Sequence, residues 1–156
     1  MRIIIGLRAS ESIISILPTG ARKSILFIVL AIIKEGRVSI IIMPFIALLN
    51  NLVEQAGAIG VDYIRYIALL SARRNRLPRA ARLVVVSADI IAIAKFSAYA
   101  DRLLYAGLLQ RIFINECYIV IINIRYRVRL GTLQSIYYYG CLLILLIAML
   151  LVVLNN

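Results

Sequence analysis

Residues 12–24, SIISILPTGARKS, set the fold class of the chain. The apolar, β-branched run at 12–17 predicts a buried strand. A turn follows at 18–21, and residues 23–34 have the length of a helix that stops at Gly36. A strand, a tight turn and a helix in direct succession are typical of an α/β domain.

The same alternation continues along the chain. Short, β-branched runs bounded by polar or turn residues predict strands at 38–43, 62–66, 83–86, 111–115 and 142–147. Helices are predicted at 45–58, which Gly57 and Gly60 terminate, at 90–107 and at 127–138. Strands that alternate with helices predict a mainly parallel sheet flanked by helices.

Composition excludes several classes of protein. The 156 residues include 18 Lys and Arg but only 7 Asp and Glu, a formal net charge of +11 that suggests an anionic partner. Hydrophobic residues make up 63% of the chain, so intrinsic disorder is not expected. With no His and two Cys, a Cys/His zinc site, a Ser-His-Asp triad and a disulfide scaffold are set aside.

The C-terminal apolar run leaves an alternative open. Residues 136–154 run for 19 positions without a charge, about the length of a membrane span, and Arg125, Arg127 and Arg129 precede them. A small membrane protein anchored by this segment is therefore the alternative hypothesis. The run also fits a helix end followed by a strand buried on both faces, so no stable membrane association is expected under the main interpretation.

The turn after the first strand has features of a phosphate-binding loop. In such a loop backbone amides surround the phosphates, a Lys reaches the β and γ phosphates, and a Ser or Thr hydroxyl binds Mg²⁺. Lys23 and Ser24 match the last two roles, which predicts ATP and Mg²⁺ as cofactors. The backbone would come from Thr19, Gly20, Ala21 and Arg22. A basic turn that merely opens a helix is the alternative.

A second candidate segment follows the strand at 111–115. An apolar strand that ends in two acidic residues can hold Mg²⁺ with the first carboxylate and activate water with the second. Here the first position is Asn115, so metal binding should be weakened, and the second is Glu116. A plain turn after a strand is the alternative interpretation.

Taken in order, six segments of the chain resemble the fungal DECH type of RecQ-like DNA helicases. That family's pattern includes PTGAGKS, a strand with P-x-x-A-L, V-S-A-E, IVIDECH, a Y-R-P step and LTATLP. The matching segments here are PTGARKS at 18–24, PFIAL at 44–48, VSAD at 86–89, IFINECY at 112–118, YR at 126–127 and LIAML at 146–150. The order and spacing extend over about residues 12–150.

The resemblance implies a RecA-like P-loop lobe, a three-layer α/β/α domain that binds ATP for 3′–5′ DNA unwinding. It makes Lys23 and Glu116 the catalytic candidates and places DNA contacts at Pro44 and Ser87. A nuclear, otherwise intracellular, location would follow. Arg73, Arg74 and Arg76 form a further candidate patch for weak electrostatic contact with DNA, or else a solvated loop.

The departures from the family pattern share one form. Arg22 stands in place of Gly, Asn115 in place of Asp, Tyr118 in place of His, and Ile147 and Met149 in place of Thr. Each can arise from one C-to-T or G-to-A change in a codon. Such changes also turn Thr codons into Ile codons, and the chain has 29 Ile but only two Thr. We therefore expect a degenerate helicase sequence with little or no ATP turnover. Composition bias in an AT-rich genome and a translated pseudogene that never folds stably are the alternatives.

We also expect the domain, residues 1–156, to be incomplete. A RecQ-type motor has two RecA-like lobes, and this chain stops just after the last motif of the first lobe. It begins too close to residue 18 to include the upstream segment that reads adenine in the family. The second lobe would then be a missing partner, and the oligomeric state is not predicted.

Overall fold

The computed structural model describes residues 2–7, 10–18, 23–33, 37–66, 80–117, 136–137 and 139–149. The strands are β1 (Arg2–Leu7), β2 (Ser10–Pro18), β3 (Val38–Met43), β4 (Tyr63–Tyr66), β5 (Leu83–Ser87), β6 (Leu109–Asn115) and β7 (Leu142–Met149). The helices are α1 (Lys23–Ile33), α2 (Ile46–Ile59) and α3, which spans Ala94–Tyr105.

All seven strands form one sheet in the order β1-β2-β7-β6-β3-β5-β4. Every neighbouring pair is parallel except β1 with β2, which run antiparallel. The prediction of an α/β fold with a mainly parallel sheet is confirmed. The edge strand β1 was not predicted from the sequence.

Helices cover both faces of the sheet. Successive side chains of a strand point to opposite faces. Ile40 and Ile42 of β3 pack in one cluster with α3, whereas Ile41 packs in the other cluster with α1 and α2. The central strand β3 is buried at every position, which is why all its residues except Ser39 are apolar and polar residues do not alternate with apolar ones.

The end of α2 follows from one glycine. Gly60 has a φ of 77°, in the left-handed region that glycine adopts without a steric penalty. Its N–H contacts the carbonyl oxygens of Ala56 and Gly57, which closes the last turn. The prediction that Gly57 also terminates the helix was wrong, since Gly57 lies within α2. Glycine lowers helix stability but does not by itself end a helix.

The predicted element boundaries differ from the structure mainly at α3. The helix expected from residue 90 begins at Ala94, because residues 88–92 form turns in which Ile90 N–H donates to the Ser87 carbonyl. The strand predicted at 38–43 has the bounds of β3. The helix predicted at 127–138 lies outside the described residues except for 136–137, which are helical.

The central part of the C-terminal apolar run forms β7. This strand lies between β2 and β6 and pairs in parallel with both, for example through Ile144, which is level with Ile13 and Phe113. Its position inside the sheet accounts for the uninterrupted apolar sequence. Over the described ranges, no helix is long and apolar enough to cross a membrane.

Core packing at β6 generates a stability prediction. Phe113 is fully buried, and its ring meets that of Phe27 edge-on at a centroid distance of 5.1 Å. We expect Phe113→Ala to lower the free energy of unfolding by about 3–5 kcal/mol, measured by urea denaturation. Phe45→Ala is the matched control, because Phe45 is 46% exposed and should cost much less. Equal losses in the two variants would contradict this packing.

Candidate functional site

The carboxyl ends of the parallel strands bring the predicted site residues to one edge of the sheet. β2 ends at Pro18 and β6 ends at Asn115, with β7 between them. Ligands of open parallel sheets bind outside the carboxyl ends of the strands. Lys23 and Ser24, at the start of α1, lie at this same edge with Asn115 and Glu116.

An ion pair joins the two catalytic candidates. The Lys23 Nζ atom donates a hydrogen bond to Oε1 of Glu116, although 93 residues separate the two in the chain. Both side chains are mostly buried, with 14% and 13% of their surfaces exposed. The second carboxylate oxygen, Oε2, accepts the backbone N–H of Ala148 at 3.1 Å. One carboxylate therefore connects α1, β6 and β7.

The backbone of Glu116 adopts an unusual conformation. Its φ is 51°, and it is the only non-glycine residue with a positive φ in the described part of the chain. A left-handed conformation costs a residue with a Cβ atom roughly 1–2 kcal/mol. Strained backbone of this kind is concentrated at functional sites, where surrounding contacts hold it in place. Here the bonds to Lys23 and Ala148 are those contacts.

Asn115 carries a buried oxygen that has no hydrogen-bond partner. The residue is 6% exposed, and its Oδ1 atom makes no hydrogen bond to the described residues. Leaving a buried acceptor unsatisfied costs about 1–3 kcal/mol. Because Asn115 also lines the cleft described next, this oxygen is a candidate ligand-facing group.

These groups open into a cleft of about 350 Å³. One wall consists of Lys23 and Ser24 with Asn115 and Glu116. The opposite wall belongs to α2 and includes the amide side chains of Asn51 and Gln55, together with apolar residues. Pockets for small molecules have volumes of roughly 300–1,000 Å³. Asn51 and Gln55 were not found from the sequence; the available signal was their spacing of four residues on a helix.

The donor set fits phosphate better than a divalent metal. Ser24, Asn115 and Glu116 supply the oxygen atoms that Mg²⁺ prefers, but only Glu116 carries charge, and Lys23 already neutralises it. Over the described ranges, no group of three or more His, Cys, Asp or Glu residues lies close enough to hold a metal ion. The ammonium of Lys23 and the start of α1 are both suited to an anion.

The predicted nucleic-acid contacts lie on two neighbouring strands at the same edge. Pro44 follows β3 and is buried, and Ser87 ends β5. The N–H of Ala88 donates to the carbonyl of Met43 at 2.9 Å, which joins the two strand ends. Ser87 Oγ accepts the N–H of Asp89 at 3.3 Å, so its hydroxyl shapes the turn that follows.

The other predicted contacts lie outside the described residues. They comprise the turn at Thr19, Gly20, Ala21 and Arg22 and the arginines Arg73, Arg74 and Arg76. Tyr118, a departure from the family pattern, also lies outside the described residues.

The two cysteines have no part in this cleft. Neither forms a disulfide in the described structure; Cys117 is buried, and Cys141 directly precedes β7, at the opposite end of that strand from the cleft. Burial raises the pKa of Cys141 to about 11, so its thiol stays protonated near neutral pH. A thiol nucleophile at Cys141 is therefore not expected.

Comparisons with known proteins add no family assignment. No protein-family model matches the chain, and no curated protein matches it either.

The ion pair generates a test by double-mutant cycle. Lys23→Met or Glu116→Gln alone leaves a mostly buried charge without its partner, so each should be clearly destabilising. The double variant should be less destabilised than the sum, with a coupling energy of about 0.5–3 kcal/mol. Urea denaturation of the four proteins measures this quantity. Simple additivity would mean that the pair contributes nothing to folding.

Proposed function

We propose that the chain is a nucleotide-binding domain related to the ATP-binding lobe of RecQ-like DNA helicases, and that it binds ATP phosphates with little or no hydrolysis. The observation that supports this most directly is the convergence of four side chains at one cleft. Lys23 and Ser24 come from the start of α1, whereas Asn115 and Glu116 come from the end of β6. Their roles follow those of phosphate-binding loops and of the acidic strand end that accompanies them.

The strand order supports the same proposal. Because β7 separates β2 from β6, the two strand ends lie two strand spacings apart, or about 10 Å. Lys23 and Glu116 bridge this gap by their ion pair. A phosphate group that enters between the strand ends would meet both the Lys23 ammonium and the start of α1, where Lys23 lies.

The first turn of α1 is suited to an anion. It contains no acidic residue, and the helix is long enough for its dipole to contribute at the N-terminus. Free N–H groups of a helix start bind phosphate oxygens directly. Lys23 and Ser24 occupy this first turn, so side-chain donors and backbone N–H groups belong to the same part of the helix.

The mechanism follows from competition for Lys23. An incoming phosphate draws the Lys23 ammonium from Glu116, whose carboxylate remains held by the N–H of Ala148. Glu116 is then free to accept a proton from an attacking water. Asn115 has no charge with which to hold a metal ion beside the transferred phosphate, so the developing negative charge lacks compensation. Binding without efficient turnover is the expected result.

The helicase relationship adds contact with nucleic acid to the proposal. The net charge of +11 favours a polyanion, and such contacts are dominated by phosphate charges. Pro44 and Ser87, for which the resemblance implies contacts with DNA, lie at the carboxyl edge of the sheet, and exposed Arg65 lines a pocket that Ser87 shares. We propose weak, salt-sensitive DNA binding along this edge.

Nucleotide binding is tested with a fluorescent ATP analogue. The wild-type protein should bind it saturably, and Lys23→Ala should weaken binding at least tenfold because the only cation of the described cleft is lost. Lys95→Ala is the matched control, since Lys95 is exposed on α3, on the other face of the sheet. Absence of binding by folded wild-type protein would refute the proposal.

The role of Asn115 is tested by restoring a carboxylate. Asn115→Asp adds a negative charge beside Ser24, which should make nucleotide binding depend on Mg²⁺ and raise the rate of phosphate release severalfold or more. Binding with and without EDTA, and release of inorganic phosphate, measure the two effects. Asn50→Asp is the control, because Asn50 does not line the cleft. No gain of Mg²⁺ dependence in Asn115→Asp would contradict this role.

A further inference from the structure

The wall of the cleft formed by α2 carries a pair of amide side chains. Asn51 and Gln55 are one helical turn apart and lie on the same face as Leu48 and Leu52. Leu52 is buried against the sheet, which fixes the rotation of the helix. With that rotation the two amides line the same cleft as Lys23.

A hydrogen bond within the pair orients both amides. Nε2 of Gln55 donates to Oδ1 of Asn51 at 2.5 Å. This bond uses the oxygen of Asn51 and leaves its Nδ2 group, with two N–H donors, for a ligand in the cleft. Asn51 is exposed, so a ligand can reach this group without displacing other side chains.

The charge balance of the cleft shows why such a donor matters. Lys23 is the only cationic side chain lining the described cleft, and Glu116 neutralises it. The terminal phosphate of a nucleoside triphosphate brings more negative charge than one lysine compensates. Amide N–H groups bind phosphate oxygens and add no charge of their own. Asn51 is the side chain that supplies them from the second wall.

The residues that line the cleft indicate which phosphate of the nucleotide would bind there. In a phosphate-binding loop the turn before the Lys surrounds the α and β phosphates, and the Lys reaches the β and γ phosphates. The cleft is lined by Lys23, which would reach the β and γ phosphates, and by Ser24, Asn115 and Glu116. We propose that Asn51, held by Gln55, donates a hydrogen bond to the terminal phosphate and distinguishes nucleoside triphosphates from diphosphates. This inference rests on the proposed function.

The test compares fluorescent triphosphate and diphosphate analogues of the same nucleoside. Asn51→Leu should weaken binding of the triphosphate about tenfold and that of the diphosphate less than twofold, in keeping with the loss of one hydrogen bond to a charged group. Asn50→Leu is the matched control, because Asn50 is the exposed neighbour that does not line the cleft, and it should change neither affinity. Thermal unfolding should show that both variants remain folded.

A second variant separates ligand contact from a structural role. Asn51→Asp replaces the donor by a carboxylate, so triphosphate binding should be lost in EDTA and recover when Mg²⁺ is added. An equal loss for both analogues, or no loss in either Asn51 variant, would overturn the role of Asn51. If binding still depended on Lys23 in that case, the nucleotide site itself would stand. Wild-type protein that binds neither analogue would overturn both proposals.

Discussion

Burial of the parallel sheet on both faces is the constraint on which the rest of this structure depends. β3 is buried at all its positions, and β5 likewise, so polar residues are rare in both strands: β3 has Ser39, and β5 has Ser87 at its end. Burying a polar group without a hydrogen bond costs free energy, and the backbone groups at the centre of a sheet are already bonded to each other. Polar side chains are therefore concentrated where strands end, and the parallel arrangement gathers those ends at one edge.

Arg111 is a charged residue inside a strand and illustrates this cost. It lies within β6 and is 7% exposed. Its guanidinium donates to the Leu30 carbonyl in α1 at 3.3 Å and to the side chain of Gln110, while its Nε atom is buried without a partner in the described structure. Burial lowers the pKa of Arg111 below its ordinary value. Among the described residues, the partners of this cation are a carbonyl near the C-terminal end of α1 and an amide, and neither is acidic. A positive charge near the C-terminal end of a helix is favourable with respect to the helix dipole.

Much of this fold could be predicted from the sequence because its signals are local. Short β-branched runs gave the strands from β2 to β7, and the glycine at position 60 marks the end of α2. β1 was missed because a short apolar run such as RIIIGL does not by itself distinguish a strand from part of a helix, and its pairing with β2 decides the conformation. The residues of the candidate site also differ in whether a local sequence signal reveals them. Lys23 and Glu116 belong to motifs, whereas Asn51 becomes visible only when α2 is placed beside α1.

The antiparallel pairing of β1 with β2 has a consequence for the order of assembly. Only residues 8–9 separate these two strands, whereas the parallel partner of β2 begins at Leu142. Closing a short loop costs little entropy, and contacts that are near in sequence form fastest. During synthesis, β2 can therefore engage β1 as soon as it leaves the ribosome, long before β7 exists. The hairpin would occupy one hydrogen-bonding edge of β2 and leave the other for the last strand, β7. In the nascent chain, β1 would therefore prevent that edge of β2 from pairing with a wrong strand.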